Sequence, residues 1–399
     1  MKNLSIWSCA VLFGTFVLFS CTSKNNKIRP AIPSIQVSGD VQEGSWPEDG
    51  NLCDDFLHAE FDSVCYVPLE MNPKSLIGEI SQIFRWDDSL LVVDQYVAHT
   101  LNVYDLKGKY CYTIGSQGRG PGEYNEIGYV YVSGDGRIYV ADRGAGKILI
   151  YGRGGHFMRE HRLDGGTPQA FVVLNDSVLL GSYAGYRPNA PYRLIWMNLN
   201  AAGDTLHTAL PYQTARRYVA GSFLEGSDHE ILFCHPLNDT IYKVTDSSLS
   251  PYLVMRIFEK DKLQAFMERT QDLDEADYMK ALYGSDEIAN LVEVMRCGGS
   301  WVVYSQQGRQ TYMSVIGRER RNYLRADMSE RRLYFPDSFK ATWKNWVIGY
   351  INVDAIDYLS DTQREVLLKS LSKACGSEVT PDSLRESNPV ITMYRLKAQ

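Results

Sequence analysis

Leu90-Leu91-Val92-Val93-Asp94 is followed by Thr100-Leu101-Asn102-Val103-Tyr104-Asp105, the turn Leu106-Lys107-Gly108-Lys109, and Tyr110-Cys111-Tyr112-Thr113-Ile114-Gly115. The phrase returns as Arg137-Ile138-Tyr139-Val140-Ala141-Asp142, Lys147-Ile148-Leu149-Ile150-Tyr151, the turn Gly152-Arg153-Gly154-Gly155, and His156-Phe157-Met158-Arg159-Glu160. Short β-branched and aromatic runs separated by glycine turns read as strands. A further run precedes each copy, at 79–85 and 128–132, so each copy supplies one four-stranded antiparallel blade.

The aromatic residue of the third strand counts the copies: Tyr104, Tyr151, Trp196, Tyr242, Tyr312 and Tyr394 stand 47, 45, 46, 70 and 82 residues apart. The two long gaps hold stretches of helical period. One places Leu263, Phe266, Met267, Leu273, Ala276, Met279 and Leu282 on one stripe; the other spaces Val366, Leu367 and Leu371 likewise. The expected fold is an all-β, six-bladed β-propeller of four-stranded antiparallel blades, with helical insertions near 259–287 and 354–388. An open arc would leave unpaired edges at both ends. The run at 61–69 has no blade of its own and the last blade lacks an outer strand after Met393-Tyr394-Arg395-Leu396. Their pairing closes the ring.

A length of 399 residues is ordinary for a propeller, and 44% hydrophobic with 22% charged residues excludes wholesale disorder. A net charge of −7 offers no basic footprint for nucleic acid. Near the start, Lys2 precedes an apolar stretch at 6–19 ending in Leu18-Phe19-Ser20-Cys21. That ending resembles the bacterial lipobox, in which the cysteine is diacylated and becomes the new N-terminus. Residues 1–20 are thus expected to be a lipoprotein signal peptide, 21–55 a lipid-anchored flexible tether from Cys21, and 56–399 the propeller. Thr22 in place of Asp favours the outer membrane, and the lack of an acidic run after Cys21 favours its periplasmic side over surface display. No CxxC pair exists, and Cys53 with Cys65 is the one local disulfide candidate.

Val93-Asp94, Asn102-Val103-Tyr104-Asp105, Gly108-Lys109, Ile114-Gly115 and Gly118-Arg119-Gly120-Pro121-Gly122-Glu123-Tyr124 resemble an NHL-type repeat. Together with Tyr66-Val67-Pro68-Leu69-Glu70 and Asn388-Pro389-Val390-Ile391-Thr392-Met393-Tyr394 they resemble the six-bladed β-propeller lipoproteins of gut anaerobic bacteria. The resemblance implies fold and compartment and carries no activity.

In such a ring the second-to-third-strand loops and the blade-to-blade joints leave on one face, which collects 95–99, 117–124, 143–147, 183–192 and both insertions. Candidate binding residues there are Arg119, Tyr124, Arg143, Tyr183, Tyr186, Arg187 and Tyr192: tyrosines suit sugar rings or peptides, and Arg187 suits a carboxylate. The stretch 118–124 weighs more as an inter-blade joint than as an anion cradle, because Pro121 interrupts it and no helix follows. The run Asp272, Asp274, Glu275 and Asp277 lacks calcium-loop spacing and reads as a solvated helix face. Arg318, Arg320, Arg321, Arg325, Arg331 and Arg332 alternate with acids and read as salt-bridged. No Gly-x-Ser-x-Gly, His-Glu-x-x-His or phosphate-loop motif occurs. Metal-dependent lyases are known among NHL-like propellers, but only His99 and His235 fall at second-strand ends on the favoured face, and a catalytic zinc takes three protein ligands. No cofactor, metal or enzyme activity is therefore expected. The expected role is binding a small carbohydrate or peptide-like ligand; the alternative is a scaffold docking an outer-membrane protein.

Overall fold

The computed structural model describes residues 34–36, 60–164, 166–184, 191–200, 205–212, 221–225, 230–235, 237–238, 240–256, 260–285, 289–308, 310–317, 321–327 and 339–397. Among these, the strands build six blades, each of four antiparallel strands, one of which gains a short fifth, parallel strand at its rim. Blade 1 runs Gln82–Trp86, Ser89–Asp94, Thr100–Asp105, Tyr110–Thr113 from centre to rim, and blade 2 Ile127–Val132, Ile138–Asp142, Lys147–Tyr151, Phe157–Arg162. Blade 3 is Ala170–Asn175, Val178–Ser182, Tyr192–Asn198, Thr205–Pro211, and blade 4 Ser222–Glu225, Ile231–Cys234, Thr240–Val244, Leu249–Arg256. Blade 5 is Ala289–Cys297, Ser300–Gln307, Gln310–Ile316, Arg321–Asp327. Blade 6 takes Phe339–Trp343, Trp346–Ile351 and Val390–Leu396 from the C-terminal end and its outermost strand, Phe61–Pro68, from the other. Each innermost strand touches its two neighbours, and that of blade 6 touches that of blade 1. The ring is a closed six-bladed β-propeller, as the repeat count requires.

Closure is by the pairing read from the edges. Phe61 stands opposite Leu396 and Pro68 opposite Val390. Phe61 and Tyr394 meet edge to face at 5.7 Å, and Phe339 lies 5.7 Å from Tyr394. Such contacts add to the area buried when the last edge is covered.

The middle strands are buried on both faces, as Ile138–Asp142 and Lys147–Tyr151 are throughout, because each blade is sandwiched between two others. Leu91, Val93, Leu101 and Val103 of blade 1 pack on Val130, Ile138, Val140 and Leu149 of blade 2, and comparable layers recur around the ring. The rim strand Phe157–Arg162 is mostly exposed and correspondingly polar.

The insertions contain α1 (Lys260–Arg269) and α2 (Glu275–Tyr283), then α3 (Asp361–Cys375) and α4 (Pro381–Arg385). The first pair follows the rim strand of blade 4; the second lies between the second and third strands of blade 6. Antiparallel strand order sends both connections to the face of 118–124. Asp274 caps α2 by accepting from the Asp277 amide at 2.9 Å, so part of the acidic run is an N-terminal cap. Phe266, Tyr278 and Leu282 pack with Leu237 of the blade 4 loop. Helix α3 instead packs on the outermost strand Phe61–Pro68. The second insertion therefore flanks blade 6.

Within 21–55, Ser34–Gln36 forms a strand parallel to Leu249–Arg256 on the rim edge of blade 4. The signal peptide, Cys21, Cys53, Tyr186, Arg187, Arg318, Arg320, Arg331 and Arg332 lie outside the described residues. Cys65, Cys111, Cys234, Cys297 and Cys375 are free thiols. Among the described residues no helix is long and apolar enough to cross a membrane.

Candidate functional site

The loop-rich face is built on a device repeated in the first two blades. Asp94, fully buried at the end of a second strand, accepts from the amides of Gly78 and Glu79 in the preceding joint at 2.7 and 3.1 Å. It also accepts from Tyr96 and Val97 in its own loop at 3.2 and 2.8 Å. Asp142 does the same for Asn125 and Glu126, at 3.0 and 3.2 Å, and for Ala145 at 3.1 Å. One carboxylate thus fastens two connections and offsets its own burial with several N–H donors. The counted tyrosines complete the device: Tyr104 donates to the Ser75 carbonyl at 3.0 Å and Tyr151 to that of Gly122 at 2.9 Å. Asn388, at the exit of the second insertion, donates to the Glu70 and Ser75 carbonyls at 2.8 and 2.7 Å and accepts from Ile77 at 3.0 Å.

The stretch 118–124 is a joint. Ser116–Gln117 pairs with Glu123–Tyr124, and the Glu123 carboxylate accepts from the Gly120 amide at 2.7 Å, filling the space an anion would take. A side chain at Gly118 would collide with that carboxylate, and Gly122 has φ +75° against Phe157, which explains both glycines. Arg119 projects into solvent. Tyr124 is fully buried between blades 1 and 2 and presents nothing to a ligand. Arg143 is exposed and pairs with Glu126 at 3.3 Å.

Tyr183 is also buried: its amide donates to the Arg193 carbonyl at 2.9 Å and its hydroxyl faces the Met197 sulfur at 3.4 Å. It packs within blade 3, where a loop platform was expected. Tyr192 is half-buried at the start of the third strand.

The residue beside it was missed. Arg193 Nη1 lies 2.6 Å from His235 Nε2, and its guanidinium stacks 4.6 Å over the Tyr212 ring. Tyr212 closes the loop by donating to the Tyr183 carbonyl, and Tyr278 of α2 lies within electrostatic reach. Burial holds the Arg193 guanidinium below its ordinary value, opposed by Tyr212 and Tyr278. Connections of blades 3 and 4 therefore meet at one cation, with Tyr278 of the first insertion near enough to act on it electrostatically. Among the described residues no carboxylate pairs with it. The only sequence signal was an arginine next to a predicted loop; its neighbours come from 212, 235 and 278, which only the ring brings together.

A second feature lies in the channel. Val292 is a bulge in the innermost strand of blade 5, and Glu293 follows it. Glu293 acts electrostatically on Tyr129 of blade 2 and Cys234 of blade 4 and is attracted by Lys340 of blade 6. Tyr129, Glu293 and Lys340 stand on the innermost strands of blades 2, 5 and 6, which line the central axis, so Tyr129 is reached across that axis while Lys340 and Cys234 belong to the neighbouring blades. Enclosure pushes the Glu293 carboxyl up to about 7, with Lys340 pulling it down. Burial, with Glu293 adding to it, pushes the Tyr129 phenol up to about 12. Outside the channel, an open groove of about 400 Å³ runs between Glu70, Lys107, Lys109 and Glu386. Its lining charges are mixed.

A family model described as a domain of unknown function (DUF4934) matches residues 55–395. Among solved structures, a Bacteroides fragilis protein described as exported superposes with a TM-score of 0.70 at 17% identity, covering 92% of this chain and 99% of its own. A DUF4221-family protein of Bacteroides vulgatus follows at TM-score 0.54 and 10% identity, covering 84% and 97%. No curated protein matches the sequence.

Proposed function

We propose, from the premise that the chain belongs to the DUF4934 family, that it is an exported, lipid-anchored propeller that binds a small carbohydrate or peptide-like ligand on its loop-rich face. The observation that carries the reading is the convergence of Arg193, Tyr212, His235 and Tyr278 from separate connections onto one partly buried place. A half-buried cation beside aromatic rings suits a polar ligand with an apolar side, and it sits on a rigid scaffold. Anchoring through Cys21 supports a role in which the domain stays at the outer membrane, on its periplasmic side, while capturing a diffusible ligand. The reading involves no cofactor and no nucleic acid.

Arrays of oligosaccharides and short peptides, probed with the wild type and with Tyr212→Ala, test this. Retention of a ligand by the wild type and its loss in the variant is the expected result; an empty array, or binding indifferent to Tyr212, removes the loop-rich face as the site. The scaffold alternative rests on exposed apolar side chains of that face, Leu76, Tyr96 and Val97. It gains support if affinity purification returns an outer-membrane protein whose capture fails with Tyr96→Ser and Val97→Ser.

A further inference from the structure

Arg193 differs from the ion-paired guanidiniums of blade 2. Arg137, Arg143 and Arg153 are all paired with carboxylates, and all are more open to solvent. Arg193 is more enclosed and meets none among the described residues. A guanidinium stays charged throughout the ordinary pH range, so it cannot escape burial by losing its proton. Desolvating it without a counter-charge is costly, and folds ordinarily supply the partner.

The surroundings supply position without supplying charge. The Arg193 N–H donates to the His235 Nε2 lone pair, which places that ring's proton on Nδ1. Tyr212 covers one face of the guanidinium plane at 4.6 Å. A guanidinium has five N–H donors in a planar fork, and only one is directed at His235. The plane is therefore fixed by stacking, one corner is pinned, and no carboxylate among the described residues accepts from the other donors. Burial also leaves fewer waters to satisfy them.

Resting on the binding reading above, we infer that Arg193 receives a carboxylate of the ligand: the ligand is an acidic one, joined edge to edge with the guanidinium while its body lies along Tyr212. A planar carboxylate matches the two-pronged donor edge of a stacked guanidinium. The group has two chemical sources, a uronic-type sugar acid or the free C-terminus of a short peptide, and Tyr212 accommodates either. The chain's net charge of −7 disfavours anions overall, so the selectivity must come from this one site and its contacts.

The test compares melting temperatures of the full chain in galacturonate, in N-acetylglycine, in inorganic phosphate and in chloride at equal ionic strength. One or both carboxylates should raise the melting temperature above chloride in a saturable manner, since a ligand that binds only the folded state stabilises it. Which of the two acts identifies the source. Arg193→Met should abolish the rise, and Arg193→Lys, which keeps charge but not the fork, should weaken the apparent affinity at least tenfold. The inference is overturned if no carboxylate exceeds chloride, if phosphate alone does, or if the Lys variant responds as the wild type does. Neutral sugars or amidated peptides that bind equally to the wild type and Arg193→Met would leave the binding role standing and remove the carboxylate from it.

Discussion

Glu293→Gln should make the propeller more stable at alkaline pH and leave it unchanged in acid. Glu293 follows the Val292 bulge in the innermost strand of blade 5, on the ring's inner side, within electrostatic reach of Tyr129 and Lys340 on the innermost strands of blades 2 and 6. Its carboxyl is raised from 4.5 to about 7 by enclosure. The folded state therefore holds the proton more tightly than the unfolded chain does. The stability that goes with the protonated form is fully present below about pH 4.5 and is lost as pH rises through about 7. At 1.36 kcal/mol per pH unit, the charged side chain costs the fold up to about 3 kcal/mol at about pH 8. For a fold of this size that is roughly 4 °C in melting temperature. Glutamine keeps the shape and the polar atoms and cannot ionise, so it removes the cost. The assay is denaturant unfolding of both proteins across about pH 4–9 within the folded range. Curves that converge in acid and separate above neutrality are expected. A constant offset, or a glutamine variant that is weaker in alkali, would refute the channel placement. Lys340→Met should enlarge the separation, because Lys340 is the attraction that holds the carboxyl down.

Removing Phe61–Pro68 exposes the edge of Val390–Leu396 and strips the cover from α3, so the whole ring should melt earlier, which calorimetry reads directly; an unchanged transition would overturn the closure. Asp94→Ala orphans the amides of Gly78, Glu79, Tyr96 and Val97 and should cost about 4 kcal/mol by chemical denaturation, with Asp142→Ala comparable in blade 2. Losses under about 1 kcal/mol would show that water replaces the carboxylate. Cys21→Ala should block acylation and leave an uncleaved or mislocalised precursor; continued labelling of that variant with a palmitate analogue would count against the lipobox. Protease shaving of intact cells should spare the wild type, and its rapid digestion would place it on the cell surface.

The amino-acid sequence determined the ring. Blades are local units in which strand, turn and strand follow one another within about 45 residues, so Asp94 and Asp142, the third-strand aromatics and the glycine turns could be counted without coordinates. The unpaired run at 61–69 and the missing rim strand also implied each other, since edges must be covered. Even the common face of the insertions followed from strand parity. What the sequence could not assign was which polar side chains remain available once the blades pack. Tyr124 and Tyr183 look like loop aromatics but are buried at packing surfaces, and Glu123 fills the cradle that its own glycines suggest. Arg193 looks like an ordinary strand residue, yet it meets Tyr212 and His235 and feels Tyr278. Glu293 acts electrostatically on Tyr129 of blade 2 and is attracted by Lys340 of blade 6 because a closed ring brings the innermost strands to one axis. Periodicity records which residues are neighbours along a blade; only ring closure decides which charges are left facing one another, and which are left without a partner.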